Sequence, residues 1–163
     1  MIRRIGAPRR AFRDALRGAA LCLAAWAVPP AAFSARAPIV IDGNFDDWAG
    51  IPPACADGAR DGILPLDFGR LWLADDDAYL YLRFETGGEL LLNSGNQLAV
   101  HLDTDDDPMT GDPVHGLGAE LSWRPGRKGG SFYAGGDPAP VDWADLGFVA
   151  LPAVTATGFE CAF

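Results

Sequence analysis

Between Asp103 and Asp112 the chain reads Asp103-Thr104-Asp105-Asp106-Asp107-Pro108-Met109-Thr110-Gly111-Asp112, five carboxylates in ten residues. Acids this close repel one another, and a bound cation relieves the repulsion. Calcium collects six to eight oxygens at about 2.3–2.6 Å, so its ligands must converge from a turning backbone. Asp103, Asp105 and Asp107 at alternate positions, with Asp112 at the far end of the loop, answer that need if the chain curls after a strand. Pro108 and Gly111 favour such a curl. The pattern is not an EF-hand, because Pro108 stands where that loop requires glycine. The alternative is a solvated loop whose aspartates cap their own turns.

A second kind of chemistry belongs to the aromatic residues. Trp72, Tyr79 and Tyr81 alternate away from Leu71, Leu73, Leu80 and Leu82, and Trp143 stands between acids in Val141-Asp142-Trp143-Ala144-Asp145. Their flat rings suit the C–H faces of sugars if they are exposed, and are ordinary packing if they are covered. Asp75-Asp76-Asp77 reads as a hairpin turn. Asp42, Asp46 and Asp47 read as a turn with Asp46 capping one helical turn, and Trp48 plugs an end of the core. No Gly-x-Ser-x-Gly, His-Glu-x-x-His or P-loop pattern occurs, and no pair of carboxylates is singled out as acid and nucleophile. No catalytic residue is therefore expected.

The elements that must position these groups are short strands. Arg70 to Ala74 and Ala78 to Glu85 alternate with period two and predict a hairpin that ends at Thr86-Gly87-Gly88. Glu89 to Leu92 is a short apolar piece, Asn93-Ser94-Gly95-Asn96 a turn, and Gln97 to Asp103 the clearest strand. Ala119, Leu121 and Trp123 alternate with Glu120, Ser122 and Arg124 in the next strand. Pro125 to Gly130 is an exposed turn, Gly135 to Pro140 a loose loop, and Ser131 to Ala134 and Leu146 to Leu151 are weaker strands. Several amphipathic strands must each bury one side, which predicts an all-β fold, an antiparallel β-sandwich of jelly-roll or Greek-key type.

Charge separates an address from a domain. The 163 residues carry a formal net charge of −9, yet Arg3, Arg4, Arg9, Arg10, Arg13, Arg17 and Arg36 stand near the start with only Asp14 among them. An uncharged stretch from Gly18 to Val28 follows, too short to span a bilayer, and Ala32-Phe33-Ser34 offers a small-x-small cleavage site. Residues 1–34 are expected to be a signal peptide, with Arg9-Arg10 resembling the twin-arginine signature, and 35–163 the folded module. The protein is then secreted or periplasmic and has no membrane span. Its acidity argues against nucleic acid as a partner. Export permits a Cys55–Cys161 disulfide, although Cys161, alternating with Phe159 and Phe163, also suits a small buried residue.

Three stretches carry a family likeness. Ile41-Asp42-Gly43-Asn44-Phe45-Asp46-Asp47-Trp48, then Leu71-Trp72-Leu73-Ala74-Asp75-Asp76 running into Tyr79-Leu80-Tyr81-Leu82, then Leu98 to Asp105, resemble carbohydrate-binding module family 9 and its DOMON-like relatives. Phe159-Glu160-Cys161-Ala162 is similar to a late strand of such modules, after which the family continues, so further domains or strands are expected beyond Phe163. The resemblance implies a noncatalytic module that binds a polysaccharide or cell-surface polymer, often with structural calcium. It departs at the family's first sugar-stacking tryptophan, where this chain has Asn93-Ser94-Gly95-Asn96. The second reading is therefore a structural or adhesive β-sandwich with no sugar site. A haem-carrying DOMON-like domain is a third, disfavoured by only two histidines and two methionines.

Overall fold

A computed structural model describes residues 35–57, 67–152 and 154–163, so the expected leader at 1–34 lies outside the described residues. The chain is all-β. In order come β1 (Ala35–Arg36), β2 (Cys55–Ala56), β3 (Phe68–Asp75), β4 (Leu80–Leu91), β5 (Val100–Leu102), β6 (Asp112–Val114), β7 (Leu117–Ala119), β8 (Leu121–Arg124), β9 (Gly129–Phe132), β10 (Ala139–Asp142), a short helix α1 (Trp143–Leu146), β11 (Val149–Ala150) and β12 (Thr155–Ala162). One sheet has the order β1-β3-β4-β12-β11, with β2 also on β3; a second runs β10-β9-β8-β5; β6 and β7 form a hairpin of their own. All pairs are antiparallel except β1 with β3.

Period-two alternation decides which side chains meet. Leu71 and Leu73 of β3, Leu82 and Phe84 of β4, and Phe159 and Cys161 of β12 share one face of the large sheet. That face forms a single apolar cluster with Leu102, Leu121 and Trp123 of the second sheet. Leu121 and Trp123 are wholly buried; Phe148 packs against the Trp123 ring, and Phe163 against Phe148.

The other face of the large sheet is covered as well. The segment from Ala37 to Ile51 lies on it, so Trp72, Ala74, Tyr81 and Ala162 join Ile39 and Trp48 in a second apolar cluster. Glu160, only 2 % exposed, fastens this segment down. Its Oε1 accepts the Asp42 and Gly43 amides at 2.8 and 2.6 Å, and its Oε2 accepts the Trp48 indole N–H at 2.9 Å. Two motifs more than a hundred residues apart are thereby one structure. Directly across the strand pair, the Arg83 guanidinium stacks between Trp72 and Phe45, 4.1 and 4.4 Å from their ring centroids.

Several local expectations are corrected. Thr86-Gly87-Gly88 does not end a strand: β4 runs through it, and the β4–β12 register shifts there, so the glycines mark a bulge. Asp46 begins a 3-10 turn at Asp46–Trp48 rather than capping it; Phe45 precedes the turn without a capping side chain. Ala119 and Leu121 fall in separate strands, with Glu120 at the junction. Gly135 to Pro140 contains the start of β10, and Leu146 to Leu151 is split between α1 and β11. Cys55 and Cys161 are free thiols, not a disulfide, and Cys161 is a buried core residue whose thiol burial and the neighbouring Glu160 push up to about 12.

Candidate metal centre and candidate ligand cleft

The acidic loop leaves β5 and folds back over β7. Asp106 takes the left-handed conformation at φ 58°, and Gly111 at φ 67° makes the turn that feeds β6. The contact with β7 is close: a Cβ on Gly111 would meet the Ala119 carbonyl oxygen at 2.6 Å and Glu120 Oε1 at 2.8 Å. One on Gly118 would run into the carbonyl oxygens of Asp107 and Thr110. Glycine is needed at both positions, and the packing brings the loop's oxygens to the strand junction.

Asp103, Asp105 and Glu120 each point one carboxylate oxygen into a space where the three atoms lie within 4.8 Å of one another. Asp103 and Glu120 are buried and Asp105 is exposed. Thr104 donates its amide to Glu120 Oε2 at 2.8 Å, and Asp106 donates to Asp103 Oδ1 at 2.7 Å. The Thr110 hydroxyl stands 3.0–3.1 Å from both Asp105 oxygens, the Asp107 carbonyl and Glu120 Oε1. A hydroxyl has one proton, so most of these are oxygen facing oxygen. Among the described residues no lysine or arginine pairs with any of the three acids. This donor set, all oxygen and strongly negative, fits a metal ion of the hard, oxygen-seeking kind.

Of the four acids the sequence put forward as ligands, two fall in this cluster. Asp103 and Asp105 belong to the cluster. Asp107 does not lend its carboxylate: Oδ1 accepts the Met109 amide at 2.9 Å, and the residue contributes its backbone carbonyl to Thr110. Asp112 lies in β6 opposite Ala119, with its side chain near the Ser122 hydroxyl at 3.5 Å. Glu120 was missed because alternation with Ala119 and Leu121 points it away from the core, where solvent is the default reading. The loop that covers it comes from a different part of the chain.

The aromatic residues separate just as clearly. Trp72 and Tyr81 are 5 % and 6 % exposed beneath the Ala37 to Ile51 segment, so neither ring has a face free to stack on a sugar. Tyr79 is half-buried against Tyr81, ring centroids 5.9 Å apart. The Tyr81 hydroxyl donates to Asp76 at 2.7 Å, and Asp76 also accepts the Ala78 and Tyr79 amides. Burial first, then the bond to Asp76, raise the Tyr81 pKa to about 12. These residues serve the turn at Asp75-Asp76-Asp77.

Trp143 is different. It opens α1, whose start is closed by a reciprocal cap between Asp142 and Asp145. It is half-buried, packs edge-on against Phe148, and stands in the wall of an open cleft of about 590 Å³ with Asn93, Ser94, Arg127, Lys128 and Leu151. The Lys128 ammonium lies 5.2 Å from its ring centroid. Asn96 stiffens the neighbouring turn by donating to the Leu91 and Leu92 carbonyls at 2.6 Å, and Gly126 packs on its amide. Asn93 donates to the Leu151 carbonyl at 2.6 Å, which turns its Oδ1 away from that carbonyl. That Asn93 oxygen and the Trp143 indole N–H are both buried with no hydrogen-bond partner among the described residues.

Among the described residues no helix is long and apolar enough to cross a membrane. Compared with known proteins, the chain matches no family model, no curated protein and no solved structure.

Proposed function

We propose that residues 35–163 are a noncatalytic β-sandwich module of an exported protein, which binds a carbohydrate or surface polymer at the Trp143 cleft and holds calcium at Asp103, Asp105 and Glu120. The single apolar cluster shared by the two sheets supports the sandwich. What carries the binding reading is the cleft itself, where the half-buried Trp143 ring stands beside Ser94, Arg127 and Lys128. An aromatic ring beside polar side chains suits a sugar, and the size falls within the range of small-ligand sites. Calcium matches the oxygen-only donors and the unbalanced charge, with the Thr110 hydroxyl and Asp107 carbonyl available to complete the shell.

The test is retention of the full chain on immobilised polysaccharides, neutral and acidic, beside a Trp143→Ala variant of equal melting temperature. Retention that the variant loses supports the module. If nothing is retained, the structural or adhesive reading takes its place, and the burial of Trp72 and Tyr81 already favours that reading for their face of the sheet.

A further inference from the structure

The described cations are not spread evenly. Arg36 pairs with Asp77, Arg70 with Glu85, and Arg83 with Glu85. Arg124, Arg127 and Lys128 make no salt bridge among the described residues, and they fall within one five-residue stretch at the end of β8. Two of them, Arg127 and Lys128, line the Trp143 cleft and are exposed. Among the described residues no acid lines the cleft; Asp142 and Asp145, on either side of Trp143, accept the Ala144, Asp145 and Asp142 amides in the helix cap.

In a chain of net charge −9, this cleft is lined by two exposed cations beside an aromatic ring. Fields fade beyond a Debye length of about 8–10 Å, and Arg127 and Lys128, standing in the lining itself, are within reach of any group bound there. Lys128 is held there by its backbone, left-handed at φ 55° with its amide donated to the Pro125 carbonyl at 3.0 Å. A neutral sugar needs the ring but has no use for two exposed cations that make no salt bridge.

Resting on the carbohydrate reading above, we infer that the ligand is an acidic saccharide, whose carboxylate or sulfate groups are recognised by Arg127 and Lys128 while its ring meets Trp143. Guanidinium and ammonium serve either anion, so the two sources differ only by experiment.

Binding of the full chain is measured against polygalacturonate, its methyl ester, dextran sulfate and plain dextran, at one fixed free calcium concentration. The expected result is that polygalacturonate or dextran sulfate binds, identifying carboxylate or sulfate, while its neutral counterpart binds about tenfold more weakly or not at all. Added salt weakens the interaction. Arg127→Ala with Lys128→Ala reduces affinity about tenfold at unchanged melting temperature, and Arg127→Lys with Lys128→Arg restores most of it. Equal, salt-insensitive binding of the neutral polymers, lost only with Trp143→Ala, overturns acid selectivity and leaves the carbohydrate module standing. Acidic polymers bound equally by all variants overturn the assignment to this cleft. Binding of none of the four, nor of any other polysaccharide, overturns both readings.

Discussion

Glu120 and Glu160 are the same residue type in nearly the same situation: each is buried, and each is pointed by alternation away from the main apolar cluster. Their surroundings are opposite in character. Glu160 receives three N–H donors from Asp42, Gly43 and Trp48, and its neighbour across the strand is Arg83. Glu120 accepts the Thr104 amide, lies within reach of the Thr104 hydroxyl and of a Thr110 hydroxyl shared with Asp105 and Asp107, and faces Asp103 and Asp105. A buried carboxylate is stabilised when donors surround it and destabilised when other acids do. Burial of an acid therefore does not mark a site; the sign of what surrounds it does. Glu160 is a clamp that the fold completes by itself, whereas the Glu120 cluster gathers oxygens that could hold a metal ion.

The largest effect expected from this contrast is at the clamp. Glu160→Ala strands two backbone amides and an indole N–H beneath the Ala37 to Ile51 segment and lowers unfolding free energy by about 3–5 kcal/mol in denaturant titrations, with or without calcium. A loss under 1 kcal/mol would show that the segment is held by apolar contacts alone.

At the other pole, calcium at a hundredfold excess over its dissociation constant stabilises the wild-type chain by about 2.7 kcal/mol, seen as a rise in melting temperature. Glu120→Gln, and equally Asp103→Ala with Asp105→Ala, removes the rise. In chelator Glu120→Gln melts no lower than wild type, because it relieves repulsion among the acids. Identical wild-type melts in chelator and in millimolar calcium would reduce the region to a capped acidic loop.

The smallest effect concerns a third acid, Asp76, an exception to both poles because its partner is a phenol. Burial pushes the Asp76 pKa up, but hydrogen bonds from Tyr81, Ala78 and Tyr79 and the charge of Arg36 outweigh it, and the net shift is downward. Asp76 therefore contributes stability that is present above the unfolded value of about 3.9 and is lost as pH falls through the lower folded one. Tyr81→Phe moves acid unfolding to higher pH. Tyr81 behaves in the opposite sense: its contribution is present below the ordinary tyrosine pKa of about 10 and disappears as pH rises toward about 12. A near-ultraviolet phenolate titration finds one of the three tyrosines ionising that late, and Asp76→Asn brings it only partway back, since burial is the larger cause.

Much of this molecule is legible in residue order alone. Alternation through Arg70 to Ala74 and Ala78 to Glu85 fixes strands, and it also fixes which of Leu71 and Trp72 points to which face, because successive side chains on a strand must point oppositely. Turn chemistry at Asp75-Asp76-Asp77 is legible for the same local reason. The crowding of aspartates after Leu102 points to the acidic cluster and names two of its three acids. What alternation does not contain is what lies on top of a face. Trp72 and Tyr81 fall on the predicted side, but the Ala37 to Ile51 segment covers them, and Glu120 falls on the predicted side beneath a loop that begins at Asp103. Likewise, Trp143 stands among acids in the sequence but beside Lys128 in space. Local order and polarity are set by neighbours in the chain; cover, charge environment and cavity are set by segments far apart in it, and only the folded packing decides those.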